Sequence, residues 1–176
     1  MKTILSQSQI SLTIKRLAHH VLENHIQLEN TVLIGIQPRG IFLSDRMVDE
    51  LKKLIDPAKI AYGKLDITFY RDDIHKQLHN ANKTDIPFSI ENKKVVLIDD
   101  VLWTGRTIRA ALDALLDFGR PKKVELCVLI DRRFTREYPI TADYIGRSID
   151  TFPNQKVMVY LNNPSKPPSV ELLDNN

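Results

Sequence analysis

The chain has 176 residues, 43% hydrophobic and 27% charged, which suits one domain with a real core and excludes a disordered chain. A net charge of +3 neither demands nor excludes an anionic partner. The lone cysteine, Cys127, rules out an intramolecular disulfide, and with no long apolar run or signal-like leader the expectation is a cytoplasmic protein without a membrane span.

Residues 6–24 put Ile10, Ile14, Leu17, Ala18, Val21 and Leu22 on one helical face, and Ser6 with Gln9 has capping-box spacing. The polar face of this predicted helix carries Lys15, Arg16, His19 and His20, open to solvent or to a nucleic-acid phosphate. Residues 31–36 are a short β-rich run. Gln37-Pro38-Arg39-Gly40 then leads into an apolar pattern at Ile41, Met47, Val48, Leu51 and Leu54, giving strand, tight loop and helix. A loop at a strand's carboxyl end, with an arginine and backbone N–H groups, suits a phosphate-rich ligand. Pro38 permits a cis Gln37–Pro38 bond, with trans the ordinary form.

Between residues 59 and 70 the apolar positions alternate, first Ile60 and Tyr62, then Leu65, Ile67 and Phe69, with a change of parity at Gly63-Lys64. This pattern predicts a bulged antiparallel flank. Residues 71–94 are polar and lack a sustained period, as a functional loop does. If the chemistry passes through an electrophilic sugar cation, a lid here excludes water, and Arg71, Lys76 and Lys83 bring it positive charge. His75 and His79 stand four apart, but no acid or cysteine lies at a ligand spacing, so no zinc site is expected.

Val95 to Ile98 reads as a strand buried on both faces of a parallel sheet, and it runs straight into Asp99 and Asp100. Thr104-Gly105-Arg106-Thr107 follows and opens a helix with Ile108, Ala111, Leu112, Leu115 and Leu116, capped by Gly119 and stopped by Pro121. Ligands of such sheets bind beyond the carboxyl ends of the strands. The loop offers consecutive N–H groups, two hydroxyls and a helix N-terminus, all suited to a phosphate. Carboxylates beside it accept hydrogen bonds from sugar hydroxyls or hold a divalent metal. The ligand so predicted is a phosphorylated sugar.

Residues 124–130 form another buried run that ends at Asp131-Arg132-Arg133, so two strands flank one helix in a right-handed crossover. Residues 142–145 and 156–161 read as short strands. From Asn162 the chain carries Pro164, Pro167 and Pro168 and too little apolar content to fold alone. The expected organisation is one domain over 1–161 and a polar C-terminal tail over 162–176.

The stretch 95–107 resembles the phosphoribosyl diphosphate (PRPP) signature of type I phosphoribosyltransferases. Residues 67–73, 118–121, 128–132, 142–146 and 156–159 are similar to the PyrR family, pyrimidine-operon attenuation regulators with uracil phosphoribosyltransferase activity, and the likeness runs over about 10–161. The resemblance implies an α/β type I phosphoribosyltransferase fold, a mostly parallel sheet flanked by helices with a small hood and a flexible lid loop. It implies synthesis of UMP and pyrophosphate from uracil and PRPP, with Mg2+ carried mainly by substrate near Asp99 and Asp100. Those two carboxylates and Arg39 become the catalytic set. Pro38, Arg39 and Gly40 lie against pyrophosphate, Thr104, Gly105, Arg106 and Thr107 hold the 5′-phosphate, and Arg71, Asp72 and Lys76 belong to the lid. Arg132 and Val157 adjoin the base. No covalent nucleophile is expected, because catalysis here is positioning and charge stabilisation.

The same resemblance implies a homodimer or higher homo-oligomer and a pyrimidine-operon mRNA leader as a second partner, met by Arg16, His19, Arg136 and Arg147. Leu12, Asn24 and Thr141 stand where the family leads us to expect further basic residues, and fewer cations imply weaker, less salt-sensitive RNA binding. Two alternatives accompany this reading: a purine-base phosphoribosyltransferase, which shares the sugar site, and a non-catalytic RNA-binding regulator that uses the nucleotide site as a sensor.

Overall fold

The computed structural model describes residues 1–72 and 82–174. Lys76, His75 and His79 lie outside the described residues.

Among the described residues the core sheet holds, in spatial order, β3 (Ala61–Leu65), β2 (Thr31–Ile36), β4 (Lys94–Leu102), β5 (Lys123–Arg133) and β6 (Tyr144–Asp150). Every pairing is parallel. Residues alternate between faces with the strand period of two. Leu33, Val96, Ile98 and Cys127 pack beneath α1 (Gln7–Asn24) and α2 (Gly40–Leu51), while Val32, Ile34, Leu97 and Val128 pack beneath α3 (Arg106–Leu115). Helices on both faces explain why β2 and β4 read as unbroken apolar runs. The capping box of α1 forms as its spacing predicts: Gln9 N donates to Ser6 Oγ and Ser6 N to Gln9 Oε1.

Several expectations are corrected. The segment after residue 59 contributes a parallel edge strand, β3, and its register against β2 is continuous from Ala61 to Leu65. The parity change arises because Tyr62 points toward α2, where its hydroxyl bonds Ser44 and Asp45, while Gly63 is pressed from the other side by the Asp85 backbone and Phe88. Leu54 lies beyond α2, and Leu112 and Leu116 are exposed, Leu116 to 67%. Ala110, Ala111 and Ala114 take their place under α3 and let it approach the sheet closely.

The largest revision concerns the polar tail expected over 162–176. It contains β8 (Ser169–Asp174), which lies between β1 (Lys2–Leu5) and β7 (Gln155–Tyr160) in an antiparallel three-stranded sheet. Too short and polar to fold alone, the segment is ordered by backbone pairing on both sides and by the buried Val170. This small sheet is the hood. Val157, Leu161, Val170 and Leu5 seat it on the α1–α2 side of the core.

One buried polar cluster lies far from the strand ends that form the site. Glu125 accepts from Tyr144 Oη at 2.7 Å and Lys123 Nζ at 2.6 Å and pairs with His25 Nε2 at 2.6 Å, while Thr31 Oγ1 contacts His25 Nδ1 at 3.2 Å. Burial pushes the Glu125 carboxyl up, but the bonds from Lys123, Tyr144 and His25 outweigh it and hold it down to about 2. A carboxyl held below its unfolded value stabilises the fold above the ordinary carboxylate range and loses that contribution as pH falls toward 2. Glu125→Gln is therefore expected to melt several degrees below wild type at pH 7, with the gap closing below pH 4. Thermal melts across pH check this, and a gap that does not change with pH contradicts it.

Candidate active site

The site is built where the carboxyl ends of β2, β4 and β5 meet the start of β7. β2 ends in the loop Gln37-Pro38-Arg39, whose Gln37–Pro38 bond is cis, the form that the sequence permits and leaves open. Gln37 N donates to Leu65 O at 2.9 Å and its side-chain amide donates to Lys83 O at 2.8 Å, so the loop is tied both to the end of β3 and to the polar excursion itself. Gly40 lets α2 start directly against β4: a Cβ there would stand 2.7 Å from Ile98 O and 3.0 Å from Asp99 Cα.

Asp99 and Asp100 are 6% and 3% exposed. Asp99 Oδ1 accepts from Asp100 N at 2.9 Å, and Arg39 Nε lies 3.3 Å from Asp100 Oδ2. Burial, reinforced by the Asp100 charge, pushes the Asp99 carboxyl well above the usual carboxylate range. Burial also raises Asp100, though the Arg39 guanidinium opposes it. Such an acid pair stands ready for donors that a ligand brings, either hydroxyls or a cation.

Beyond Asp100 the loop turns through Thr104 to Gly105, which has φ of +91° and caps α3 without a side-chain bond, leaving the helix N-terminus to the cavity. The segment 137–140 clasps this loop. Glu137 N and Tyr138 N both donate to Thr104 O, at 2.9 and 3.1 Å, and a Cβ on Gly105 would meet Tyr138 Cβ at 3.2 Å. Arg106 directs its guanidinium to Glu137, at 2.6 Å from Nε, and to Asp72, at 2.9 Å from Nη1. Its side chain is thus held by carboxylates, and its backbone N–H remains with the loop.

Arg132 is 3% exposed at the far end of β5. Nε donates to Thr151 Oγ1 at 3.1 Å and Nη2 to Gln155 O at 3.0 Å, and the guanidinium carbon lies 4.7 Å from the Trp103 ring centre. Burial lowers its pKa. Arg132, Trp103, Val157, Arg71 and Thr104 through Thr107 line one cavity of about 550 Å³. Arg39 also lines it, and forms the boundary with a second cavity of about 390 Å³ bordered by Asp100, Phe42 and Asn162.

Every described residue expected at the sugar-phosphate and base sites thus falls on the same strand-end face. Arg71 lines the cavity, and Asp72 reaches the 104–107 loop through Arg106. Trp103, Glu137, Thr151 and Lys156 escaped the sequence reading. Trp103 stood inside the quoted stretch and its large ring was the available signal; the others act through contacts distant in sequence.

The residues considered for RNA are divided. Arg16 on α1 donates to Ile145 O at 3.3 Å and to Gly146 O, Arg147 donates to Ile4 O at 2.7 Å, and His19 is exposed on the same helix. Arg136 belongs elsewhere: it braces the loop by donating to Ile140 O at 2.9 Å, to Arg132 O at 3.0 Å and to the Asp131 carboxylate. The three arginines therefore work first as fasteners inside the fold. Among the described residues no helix is long and apolar enough to cross a membrane.

A parallel sheet with a Thr-Gly-Arg-Thr loop opening a helix, a buried acid pair and a hooded cavity at its carboxyl edge defines a phosphoribosyltransferase, and the phosphoribosyl transferase domain family matches residues 1–163. The chain is 46% identical over 171 residues to the bifunctional protein PyrR of Geobacter sp. strain M21, covering 96% of each. It is 42% identical over 176 residues to the bifunctional protein PyrR of Bacillus subtilis strain 168, covering 98% of this chain and 96% of that one. The solved hypoxanthine phosphoribosyltransferase of Trypanosoma cruzi shares the fold, with a TM-score of 0.72 at 19% identity over 99% of this chain and 97% of that one. The chain belongs to the PyrR family of phosphoribosyltransferases.

Proposed function

We propose that the protein is a uracil phosphoribosyltransferase, which joins uracil to the anomeric carbon of PRPP and releases UMP and pyrophosphate. The observation that carries this reading is the continuity of one cavity from Thr104–Thr107 to Arg132 and Val157, with the Arg39–Asp100 pair on its flank. Thr104, Thr107 and the backbone of Gly105 and Arg106 hold the 5′-phosphate. Asp99 and Asp100 take the ribose hydroxyls, and Pro38, Arg39 and Gly40 hold the pyrophosphate, whose departure Arg39 stabilises by charge. Arg71 and Asp72 act at the rim, Arg132 and the Val157 backbone at the base.

Mg2+, when bound with PRPP, neutralises leaving-group charge. The hard oxygens of the buried Asp99 and Asp100 fit it, as two ligands beside those that the substrate itself would bring. All the protein's own steps are then positioning and electrostatics.

A second activity follows from kinship with bifunctional relatives: attenuation of pyrimidine gene transcription through an mRNA leader, met on a homo-oligomer by the face that carries Arg16, His19 and Arg147, with Arg136 contributing near the cavity. With so few cations the salt dependence of this binding is shallow.

The protein incubated with PRPP, Mg2+ and each base in turn is expected to make nucleotide from uracil. Product from hypoxanthine or guanine alone overturns the assignment in favour of a purine enzyme. Absence of pyrophosphate release with every base, together with nucleotide-dependent, salt-sensitive leader binding, overturns it in favour of a sensor.

A further inference from the structure

Transfer to uracil has a chemical difficulty that the site's charge distribution addresses. The N1 lone pair of neutral uracil is tied up in amide resonance, so N1 becomes a competent nucleophile only when it loses its proton. Among the described residues that line the main cavity, the one carboxylate is Glu137, already committed to Arg106 at 2.6 Å. A general base at the base-binding end is therefore missing from the described lining. Cations are plentiful: Arg39, Arg71, Arg106, Arg132 and Lys156 all border the same space.

Arg132 is the cation buried at that end. Nε and Nη2 are spent on Thr151 Oγ1 and Gln155 O. Nη1 bonds no described residue, yet no buried side-chain nitrogen or oxygen among the described residues lacks a partner, so this amino group opens onto the cavity that Arg132 lines. The neighbouring acids are engaged elsewhere, Asp131 with Arg136 and Asp150 with Arg133 at 2.8 Å. A buried guanidinium without a carboxylate of its own favours a ligand that supplies the negative charge.

We propose that Arg132 selects uracil as its anion: the base binds with its N1 proton left in solvent, and Nη1 stabilises the charge delocalised onto a ring carbonyl oxygen. N1 then forms the bond to the anomeric carbon as the carbon–oxygen bond to pyrophosphate breaks, and the electron pair leaves on pyrophosphate. No proton moves in the transfer itself. This rests on the uracil phosphoribosyltransferase reading and adds the ionisation state of the substrate and the residue that sets it.

The test compares wild type with Arg132→Gln on uracil and on the more acidic 5-fluorouracil, as kcat/KM and as the dissociation constant of the base, both against pH. Wild-type UMP synthesis, measured first, tests the underlying activity separately. Given that activity, the variant is expected to lose about 100-fold on uracil near pH 7, as for removal of one charge-stabilising donor. Because both proteins draw on the same ionised fraction of the free base, that loss in kcat/KM should be the same at every pH. Binding separates them: wild type should hold the base more tightly as pH rises toward the ionisation of the free base, and hold 5-fluorouracil more tightly than uracil, while the variant loses both dependences. The Asp99–Asp100 titration is common to both proteins and cancels in their ratio. A variant whose affinity for the base keeps the wild-type rise with pH and the wild-type preference for 5-fluorouracil overturns the proposal and leaves Arg132 a structural prop for Gln155. If the glutamine variant does not fold, Arg132→Lys serves: it keeps the charge and is expected to retain the wild-type preference for the more acidic base, and a lost preference overturns the proposal equally.

Discussion

Asp100→Asn is expected to lower kcat/KM for UMP synthesis by about 10²–10³-fold, in line with removal of one preorganised electrostatic group. The amide preserves shape and can still accept a hydrogen bond, but it loses the charge that faces Arg39 across 3.3 Å. Near-normal turnover in a steady-state assay with PRPP and uracil would remove Asp100 from the mechanism. The neighbouring substitution carries a stability signature of opposite sign. Burial and the adjacent charge raise the Asp99 carboxyl, so the fold carries no penalty from it in acid and bears an increasing one as pH climbs above the ordinary carboxylate value. Asp99→Asn should therefore melt above wild type at pH 7 while losing activity, and the advantage should vanish toward pH 4. A variant that is both inactive and less stable at neutral pH would contradict this account of the pair.

Gly40→Ala tests the junction on which both cavities depend. The added methyl would lie 2.7 Å from Ile98 O and 3.0 Å from Asp99 Oδ1, and the nearer obstacle is backbone at the centre of the sheet. Overpacking of this kind costs about 1–3 kcal/mol, which lowers the melting temperature by roughly 2–4 °C for each kcal/mol in a chain of this size. Because relief requires α2 to move away from β4, Arg39 and Asp99 separate as well, and KM for PRPP should rise together with the loss of stability. Calorimetry and PRPP saturation curves on the same preparation check both, and unchanged values in each would show that the junction has slack.

What the sequence made legible follows from the range of the forces involved. β2, β4 and β5 were readable because strands buried on two faces need unbroken apolar runs, and the acid pair and Thr104–Thr107 loop followed directly at a strand end. The capping box of α1 is local chemistry and was equally plain. β3 was misread because its alternation reflects two unlike neighbours, Ser44 above and Phe88 below, neither adjacent in sequence. β8 was missed because its order comes from pairing with strands at both ends of the chain. The clasp of Glu137 on Arg106 and the Trp103–Arg132 stack likewise join segments about thirty residues apart, and no local pattern announces them. Arg16 and Arg147 show the converse: read as surface cations, they are spent on carbonyls of the fold.

The position of β8 also bears on how much of the chain each half of the proposed site requires. β1 and β7 share no hydrogen bonds and are joined only through β8, whose residues are made after every other strand described. Residues up to Asp150 therefore supply the whole core sheet, with Asp99, Asp100 and the 104–107 loop, whereas the ledge formed by Gln155 and Val157 also needs β8 for its supporting strand. On the proposed assignment, the PRPP half of the site thus needs less of the chain than the base half, whose floor waits for the last strand described.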